Sequence, residues 1–458
     1  MPPPPFLPTR DELRALLTLA VPVVVVQVGM MLMGVVDTLM VGHLSAAALA
    51  AVALGNLYFF AVAIFGMGVL MSLDPVIAQA VGARDDPAIA RGVQRGMLLA
   101  MLLSLPAMVL LWPGERVFTW LRQPAEVVPL AASYARLIIP GVLPFLAFAV
   151  LRQTLQAMGR MRAIVITIVA ANLLNIFLNW VLIFGHLGAP ALGVDGSAIA
   201  TTISRWTMAL LLMGLSWPAL HRHVLPIRPD VFRLVPLGRM LRLGAPIGAQ
   251  FELEYSAFGL TGVLMGQLGT SQMAGHQVAL NLASLTYMVP LGVSAAASVL
   301  VGQAVGRDDA LSARRSARTA LVVGATFMLM TGTMFLSVPR LLAGLYTNAS
   351  DVIVVAAALL PLAGLFQVFD GIQVVASGVL RGLGDTRAPM IINLIGFWII
   401  GIPVGLLLGF RAGMGAQGLW WGLVLGLASV AVILLGRVRH RIQARLGRVV
   451  IDDHGHAT

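Results

Sequence analysis

The chain has 458 residues, 59% hydrophobic and 11% charged, with a mean hydropathy of +0.92. Soluble domains carry about 25% charged residues, so this composition excludes one or two water-soluble cores and requires lipid as solvent. Cys is absent, which excludes disulfides, thiolate metal sites and cysteine nucleophiles. The net charge of +11 comes entirely from Arg. The arginines fall between apolar runs, a pattern of membrane orientation and not of a nucleic-acid face.

Pro2 to Pro5 precede an apolar run too long for a signal core, so no cleavable signal is predicted and the mature protein is expected to keep its start. Thr9 followed by Glu12 fits a capping box at the start of the first helix. Apolar runs then predict twelve spans, at 14–41, 48–72, 93–113, 131–152, 163–185, 194–216, 240–266, 273–300, 318–338, 352–379, 389–410 and 416–436. A bilayer helix needs roughly 20 apolar residues and a barrel strand only about 9–11, so these are helices. Linkers after even-numbered spans carry most of the arginines, such as Arg84, Arg91 and Arg95, then Arg307, Arg314, Arg315 and Arg318. Linkers after odd-numbered spans carry only Arg116, Arg122, Arg340 and Arg411. The positive-inside rule therefore puts both termini in the cytoplasm.

The chain repeats itself. Gln79-Ala-Val-Gly-Ala-Arg-Asp-Asp returns as Gln303-Ala-Val-Gly-Arg-Asp-Asp, and Pro22 returns as Pro246, 224 residues on. Gly42-His43-Leu44 answers Gly266-Gln267-Leu268, and Gly159 with Arg162-Ala163 answers Gly384 with Arg387-Ala388. Gly193-x-x-Gly196 answers Gly415-x-x-Gly418. The expected organisation is a six-helix lobe over 1–216, a cytoplasmic linker over 217–239, a second lobe over 240–436 and a basic cytoplasmic tail over 437–458. Halves with an even number of spans share one orientation, which places a transport site between them near the midplane. Gly418, Gly422 and Gly426 recur every four residues as a small face for close helix approach. Pro22 and Pro246 are expected to bend the first and seventh spans.

Few acids lie inside spans: Asp37, Asp74, Glu252, Glu254 and Asp370. A central carboxylate costs about 2.5–3.5 kcal/mol on insertion scales, so it normally faces a cavity, a partner or an ion path. Arg205 is the one arginine well inside a span, too few cations for pairing, and a mobile cation or proton is the natural missing partner. Glu252 and Glu254 point to different faces, whereas Gln250 and Glu254 share one. Asn172, Asn175 and Asn179 form one polar stripe of the fifth span, read either as a partner face for Asp37 or as interhelical hydrogen bonding. Thr201 adds a hydroxyl. Carboxylate, amide and hydroxyl oxygens suit a hard monovalent cation, or a proton in its place, better than a transition metal. Asp74, before Pro75, reads as a helix-end acid at the interface. His276 reads as a packing residue. Gln250, Phe366, Gln277 and Asn281 are candidates for lining a substrate cleft. No metalloprotease, Walker or nucleophile-elbow motif occurs. An enzyme is therefore not expected, and an ion gradient has to supply the energy.

The motifs resemble those of the multidrug and toxic compound extrusion (MATE) family, in its NorM-like branch. They are Val36-Asp37-Thr38-Leu39-Met40-Val41-Gly42-His43, Leu73-Asp74-Pro75, Asn175-Ile-Phe-Leu-Asn179-Trp, Gly275-His276-Gln277-Val278-Ala279-Leu280-Asn281, Phe366-Gln-Val-Phe-Asp370-Gly-Ile-Gln373 and Leu380-Arg381-Gly382-Leu383-Gly384-Asp385-Thr386. The resemblance spans nearly the whole chain. It implies an all-α polytopic protein of two pseudo-symmetric six-helix lobes around a central cleft. It also implies export of amphipathic, often cationic, drugs and dyes against inward Na+ or H+ by alternating access. By this likeness Asp37, Asn175, Asn179 and Thr201 form a coupling site in the first lobe, and Glu254 and Asp370 form one in the second. Na+ is expected at Asp37 or at Glu254 and Asp370, with no cofactor beyond the coupling ion. The expected setting is the bacterial inner membrane, with a functional monomer and the bilayer as its partner. Phe366 stands where some NorM-like proteins have Tyr, and Glu252 has no counterpart in the pattern. A lipid-precursor flippase, a membrane enzyme and a non-transporting scaffold are the other readings. The acidic intramembrane charge, the missing catalytic constellation and the internal symmetry respectively disfavour them.

Overall fold

The computed structural model describes residues 8–452, and among these no strand occurs. Twelve long helices follow one another: α1 (Arg10–Gly42), α2 (Ala46–Gly82), α3 (Asp86–Leu111), α4 (Val127–Ala157), α5 (Met161–Phe184), α6 (Val194–Val224), α7 (Leu234–Leu268), α8 (Thr270–Gly306), α9 (Ala310–Ser337), α10 (Ser350–Gly382), α11 (Arg387–Arg411) and α12 (Gly415–Gln443). Eleven are long and apolar enough to cross a membrane. The other, α7, has 35 residues but carries Arg239, Arg242, Gln250, Glu252 and Glu254. It is the helix whose polarity asks for a functional reason.

The repeated motifs have local structural causes. Thr9 and Glu12 form the expected capping box: Thr9 N donates to Glu12 Oε2 at 3.0 Å, and Glu12 N donates to Thr9 Oγ1 at 3.3 Å. The twin Asp-Asp motifs are helix starts. The Asp85 carboxylate accepts from Ala88 N at 3.0 Å, and the Asp309 carboxylate accepts from Ser312 N at 2.9 Å. Each follows a residue at φ 56°, Arg84 in one half and Asp308 in the other, which turns the chain sharply from one span to the next. The Asp309 carboxyl sits below the usual carboxylate range, chiefly through its hydrogen bonds with Ser312.

Packing divides the described residues into two units, 25–248 with 451–452, and 8–24 with 249–450. The division falls inside α1 and α7, and not in the 217–239 segment. That segment is the end of α6, a short 3-10 turn at Pro229–Phe232 and the start of α7. Close backbone approach explains the placement. A Cβ at Gly68 on α2 would lie 2.5 Å from Gly248 Cα, so the first half of α7 seats on α2. At the matching position of the other unit, 224 residues on, a Cβ at Gly292 would lie 3.1 Å from Ala20 O and from Val24 N, so the first half of α1 seats on α8.

Each unit has the same internal order. In one, α4 packs against α2, α3 and α6, and α5 packs against α6. In the other, α10 packs against α8, α9 and α12, and α11 packs against α12. The last of these contacts is a glycine seam. A Cβ at Gly418 would fall 2.5 Å from Gly409 N, one at Gly422 would fall 2.5 Å from Gly401 O, and one at Gly426 would fall 2.6 Å from Gly396 O. The expected small face of α12 thus meets a glycine face on α11, whose Leu394–Gly401 and Leu407–Arg411 stretches are π-helical. Turns bonded i to i+5 keep residues spaced five and four apart on one side. The tail leaves α12, and its Ile451 and Asp452 lie in the unit of residues 25–248, where Arg91 Nε and Arg95 Nη2 each stand 2.7 Å from the Asp452 carboxylate.

Candidate functional site

In the unit of residues 25–248, three helices bring one acid and three neutral polar side chains together. Asp37, on the second half of α1, is 1% exposed. Asn179 Nδ2 donates to its Oδ1 at 2.6 Å, and Thr201 Oγ1 donates to its Oδ2 at 2.7 Å. Asn175, one turn before Asn179 on α5, accepts from Asn179 Nδ2 at 3.2 Å. All four sequence candidates of this half therefore meet. Asn179 Oδ1 has no partner, so the cluster holds an unused acceptor beside a buried carboxylate. Asn172 stands apart from it and donates to Gly29 O at 3.0 Å. It is an interhelical hydrogen bond, as the bland reading of the asparagine stripe has it.

Two further features surround Asp37. Arg205 lies one turn beyond Thr201 on α6, its guanidinium carbon 3.8 Å from the Phe59 ring centroid. Tyr134, fully buried on α4, donates to Asn56 Oδ1 at 3.1 Å. The charge of Arg205 acts on both Asp37 and Tyr134.

The unit of residues 249–450 gathers a second cluster. Glu254 Oε1 accepts from Gln250 Nε2 at 3.0 Å, one turn back on α7, and from Gln373 Nε2 at 2.7 Å on α10. Gln373 Nε2 also reaches Asn393 Oδ1 on α11 at 3.3 Å. Asp370, one turn before Gln373 on its own helix, is within electrostatic range of Glu254, and Tyr287 on α8 is within range of both acids. Glu254 and Asp370 are each half-buried. Two carboxylates that feel each other's charge favour a proton or a cation between them.

The remaining candidates separate by exposure. Gln277 and Asn281, one turn apart on α8, are exposed. Gln250 is 6% exposed and serves Glu254. Phe366, read as a cleft residue, is 2% exposed and packed in an aromatic row. Its ring lies 5.9 Å from that of Phe258 and 5.7 Å from that of Trp420, and Trp420 lies 5.7 Å from His276. Bulky rings on two neighbouring helices, α7 and α12, pack against it, which its position before Asp370 did not reveal. His276 is fully buried and is a packing residue by its ring contact. Asp74 is also buried, at 2% exposed, in the first turn of the Leu73–Gly82 stretch. Glu252 is partly exposed with one oxygen, Oε2, lacking a partner. Tyr134, Asn56, Tyr287 and Asn393 were not among the sequence candidates. Their one signal was polarity within apolar runs, in a chain with only five tyrosines.

Comparison with known proteins agrees with the two-half helical fold. The MatE family model matches residues 22–181 and 246–407, once in each half. The chain is 39% identical to a probable multidrug resistance protein NorM of Burkholderia mallei, over 99% of this chain and 97% of the relative. It is 38% identical to the multidrug resistance protein NorM of Burkholderia vietnamiensis, over 92% of each. Among solved structures it is similar to the eukaryotic MATE transporter AtDTX14, at 25% identity and TM-score 0.85, over 94% of this chain and 99% of the other. An outward-facing multidrug resistance MATE family transporter shares the fold at 20% identity and TM-score 0.85, over 95% of this chain and 98% of the other.

Proposed function

Because the chain belongs to the MATE family of multidrug efflux transporters, we propose that it exports amphipathic, often cationic, compounds in exchange for inward Na+ or H+. The observation that carries this reading is the pair of carboxylate clusters, one in each unit. Asp37 is held by Asn179 and Thr201, and Glu254 is held by Gln250 and Gln373 beside Asp370. Each is a membrane-embedded anion surrounded by amides and hydroxyls that can turn from donor to acceptor. With the carboxylate ionised, amide N–H and hydroxyl groups face it. With a cation or proton present, the amide and hydroxyl oxygens turn inward instead. Such a cluster has two hydrogen-bond patterns with different charge.

In this reading the two units alternate access, and the loaded and empty carboxylates favour different conformers. A drug competes for the same negative charge. Coupling then equals the difference in ion affinity between the two conformers, which in other systems amounts to about 1–3 kcal/mol. Exposed Gln277 and Asn281 on α8 supply polar contacts for the cargo. The protein works as a monomer in the bacterial inner membrane with both termini cytoplasmic, which the arginine-rich linkers after even-numbered spans support.

Ethidium efflux from proteoliposomes of purified protein tests the proposal, with Na+ and pH gradients imposed separately. Efflux that follows one gradient is expected and names the coupling ion. Folded protein that moves none of several cationic dyes under either gradient would favour a lipid-flippase activity instead.

A further inference from the structure

A guanidinium socket stands in the first turns of α3. Arg91 and Arg95 are one turn apart and share a face. Arg91 Nε reaches Asp452 Oδ2 and Arg95 Nη2 reaches Asp452 Oδ1, each at 2.7 Å. Arg239 on α7 adds a third guanidinium, whose Nη1 donates to Ile451 O at 2.9 Å. Asp230 also approaches, its Oδ2 4.0 Å from Arg91 Nε. Three guanidiniums thus gather at two carboxylates and one carbonyl. Arg95 is only 1% exposed, and its Nε has no hydrogen-bond partner. Both Asp452 oxygens are engaged, yet one buried donor of the socket is unfilled. A guanidinium fork matches phosphate as well as carboxylate, and a phosphate brings more oxygens.

The backbone beside this socket carries a row of exposed apolar side chains. Gln94, between the two arginines, holds the segment that follows α6. Its Nε2 donates to His223 O at 3.1 Å, to Val224 O at 3.2 Å and to Pro226 O at 3.0 Å, and its Oε1 accepts from Arg228 N at 3.0 Å. Arg95 Nη2 fixes the next turn by donating to Asp230 O at 3.1 Å. On this held segment Leu225, Ile227, Phe232, Leu234 and Val235 are all exposed, Leu234 at 83%. Arg222 and Arg233 are exposed beside them. Large apolar side chains interleaved with cations, on a stretch between two spans, have the composition of a segment that lies in the lipid headgroup region.

We propose that the Arg91–Arg95 socket and the 225–235 segment together bind an anionic phospholipid, and that Asp452 is the tail's own competitor for the site. The lipid phosphate takes the guanidiniums, and its acyl chains cover the apolar row. A free phosphate uses the socket alone, and a neutral lipid uses the row alone. An anionic lipid of the leaflet on the arginine-rich side answers both. Asp452 is tethered, so it faces the socket at a fixed effective concentration and yields as the density of anionic lipid rises. Every residue of the site belongs to the unit of residues 25–248 and its tail residues, and none belongs to the acid clusters, so the site stands apart from the coupling scheme.

Native mass spectrometry of the full-length protein in detergent, titrated with dioleoylphosphatidylglycerol or dioleoylphosphatidylcholine, tests the proposal. Asp452→Asn is expected to raise phosphatidylglycerol retention roughly fivefold over wild type, the ordinary worth of one freed cation at an anionic surface. Phosphatidylcholine retention should not change. Asp452→Gly, which removes the competing side chain altogether, should raise phosphatidylglycerol retention at least as much. Adding Arg91→Gln should remove the gain, an outcome that a merely structural ion pair would not produce. In the Asp452→Asn background, Phe232→Ser with Leu234→Ser should also lower retention, because a lipid uses the apolar row and a free phosphate does not. Inorganic phosphate that displaces the lipid fully, with no effect of the serine substitutions, would make this a free-phosphate socket and overturn the lipid assignment. Equal gains for both lipids, or a gain that survives Arg91→Gln, would overturn it as well. So would unchanged phosphatidylglycerol retention in both tail variants as monodisperse protein.

Discussion

Arg95 on α3 and Arg318 on α9 sit one position apart in the register of the repeat, yet they draw their acid from different parts of the chain. Arg318 Nη2 reaches Glu12 Oε2 at 3.2 Å, and Glu12 is also the capping-box acid of α1. Arg95 Nη2 reaches Asp452 Oδ1 at 2.7 Å, near the far end of the sequence. The reason lies at the start of α7. Leu234-Val-Pro-Leu-Gly-Arg239 has no acid where α1 has Asp11 and Glu12. The tail fills the gap: its carboxylate meets Arg91 and Arg95, and Ile451 O accepts from Arg239 Nη1 at 2.9 Å. An internal repeat thus keeps the cation and the geometry while the source of the counter-charge drifts. The membrane acids follow the same rule, with an arginine beside Asp37 and a second acid beside Glu254.

The largest expected effect comes from removing those acids. Asp37 has no second carboxylate to stand in for it, so Asp37→Asn should lower gradient-driven ethidium efflux by about tenfold to a hundredfold, the range of ordinary coupling energies. Glu254→Gln and Asp370→Asn should each leave part of the activity, and the double variant should lose it to the same extent as Asp37→Asn. Equal losses in both single variants and in the double variant would mean that the two acids act as one unit. Full activity in all of them, at normal expression, would sink the coupling scheme.

A smaller effect is expected where the half-helices seat. Gly68 faces the Gly248 backbone, with a Cβ contact of 2.5 Å, whereas Gly292 meets the Val24 side chain and backbone atoms at 3.1 Å. A side chain can rotate aside and a backbone cannot. Gly68→Ala should therefore cost about 2–3 kcal/mol and Gly292→Ala about 1 kcal/mol, within the usual range for overpacking. Denaturant unfolding in detergent micelles reads the difference, and a larger loss at Gly292 would reverse the assignment.

Much of this was legible from the sequence, for specific reasons. The spans and the repeat announced themselves because lipid demands long apolar helices, and because turns such as Arg84-Asp85 and Asp308-Asp309 need the same capping chemistry in both halves. Asp37, Asn179, Thr201 and Glu254 stood out because a polar group in an apolar run needs a partner. Tyr134, Tyr287, Asn56 and Asn393 did not, because their roles depend on how distant helices rotate against one another. Phe366 was misplaced for the same reason, since Trp420 and Phe258 bury it. The seating of half of α1 on α8 depends on a glycine contact that hydropathy does not register. Asp452 was read only as part of a basic cytoplasmic tail, because its partners on α3 lie more than 350 residues earlier in the chain.

The tail contact gives the smallest effect and the most direct test of the substituted counter-charge. Partial burial raises the Asp452 carboxyl, but the hydrogen bond and charge of Arg95, with the charge of Arg91, outweigh it and hold it below the usual carboxylate value. A carboxyl depressed in the folded state stabilises the fold at pH above its unfolded value, and that stabilisation is lost as pH falls through the folded value. Asp452→Asn should therefore unfold more readily than wild type at neutral pH. The gap should shrink below about pH 4, where the unfolded carboxyl itself takes up its proton. With a quarter of the Asp452 side chain open to solvent, the neutral-pH loss should stay under about 1 kcal/mol. Glu12→Gln supplies the control from the other half. Its carboxylate caps α1 as well as pairing with Arg318, so it should cost more than Asp452→Asn. Thermal unfolding of both variants in detergent between acid and neutral pH decides the matter. A gap for Asp452→Asn that persists unchanged into acid would mean that the tail binds through Ile451 and Arg239, and that the carboxylate is incidental.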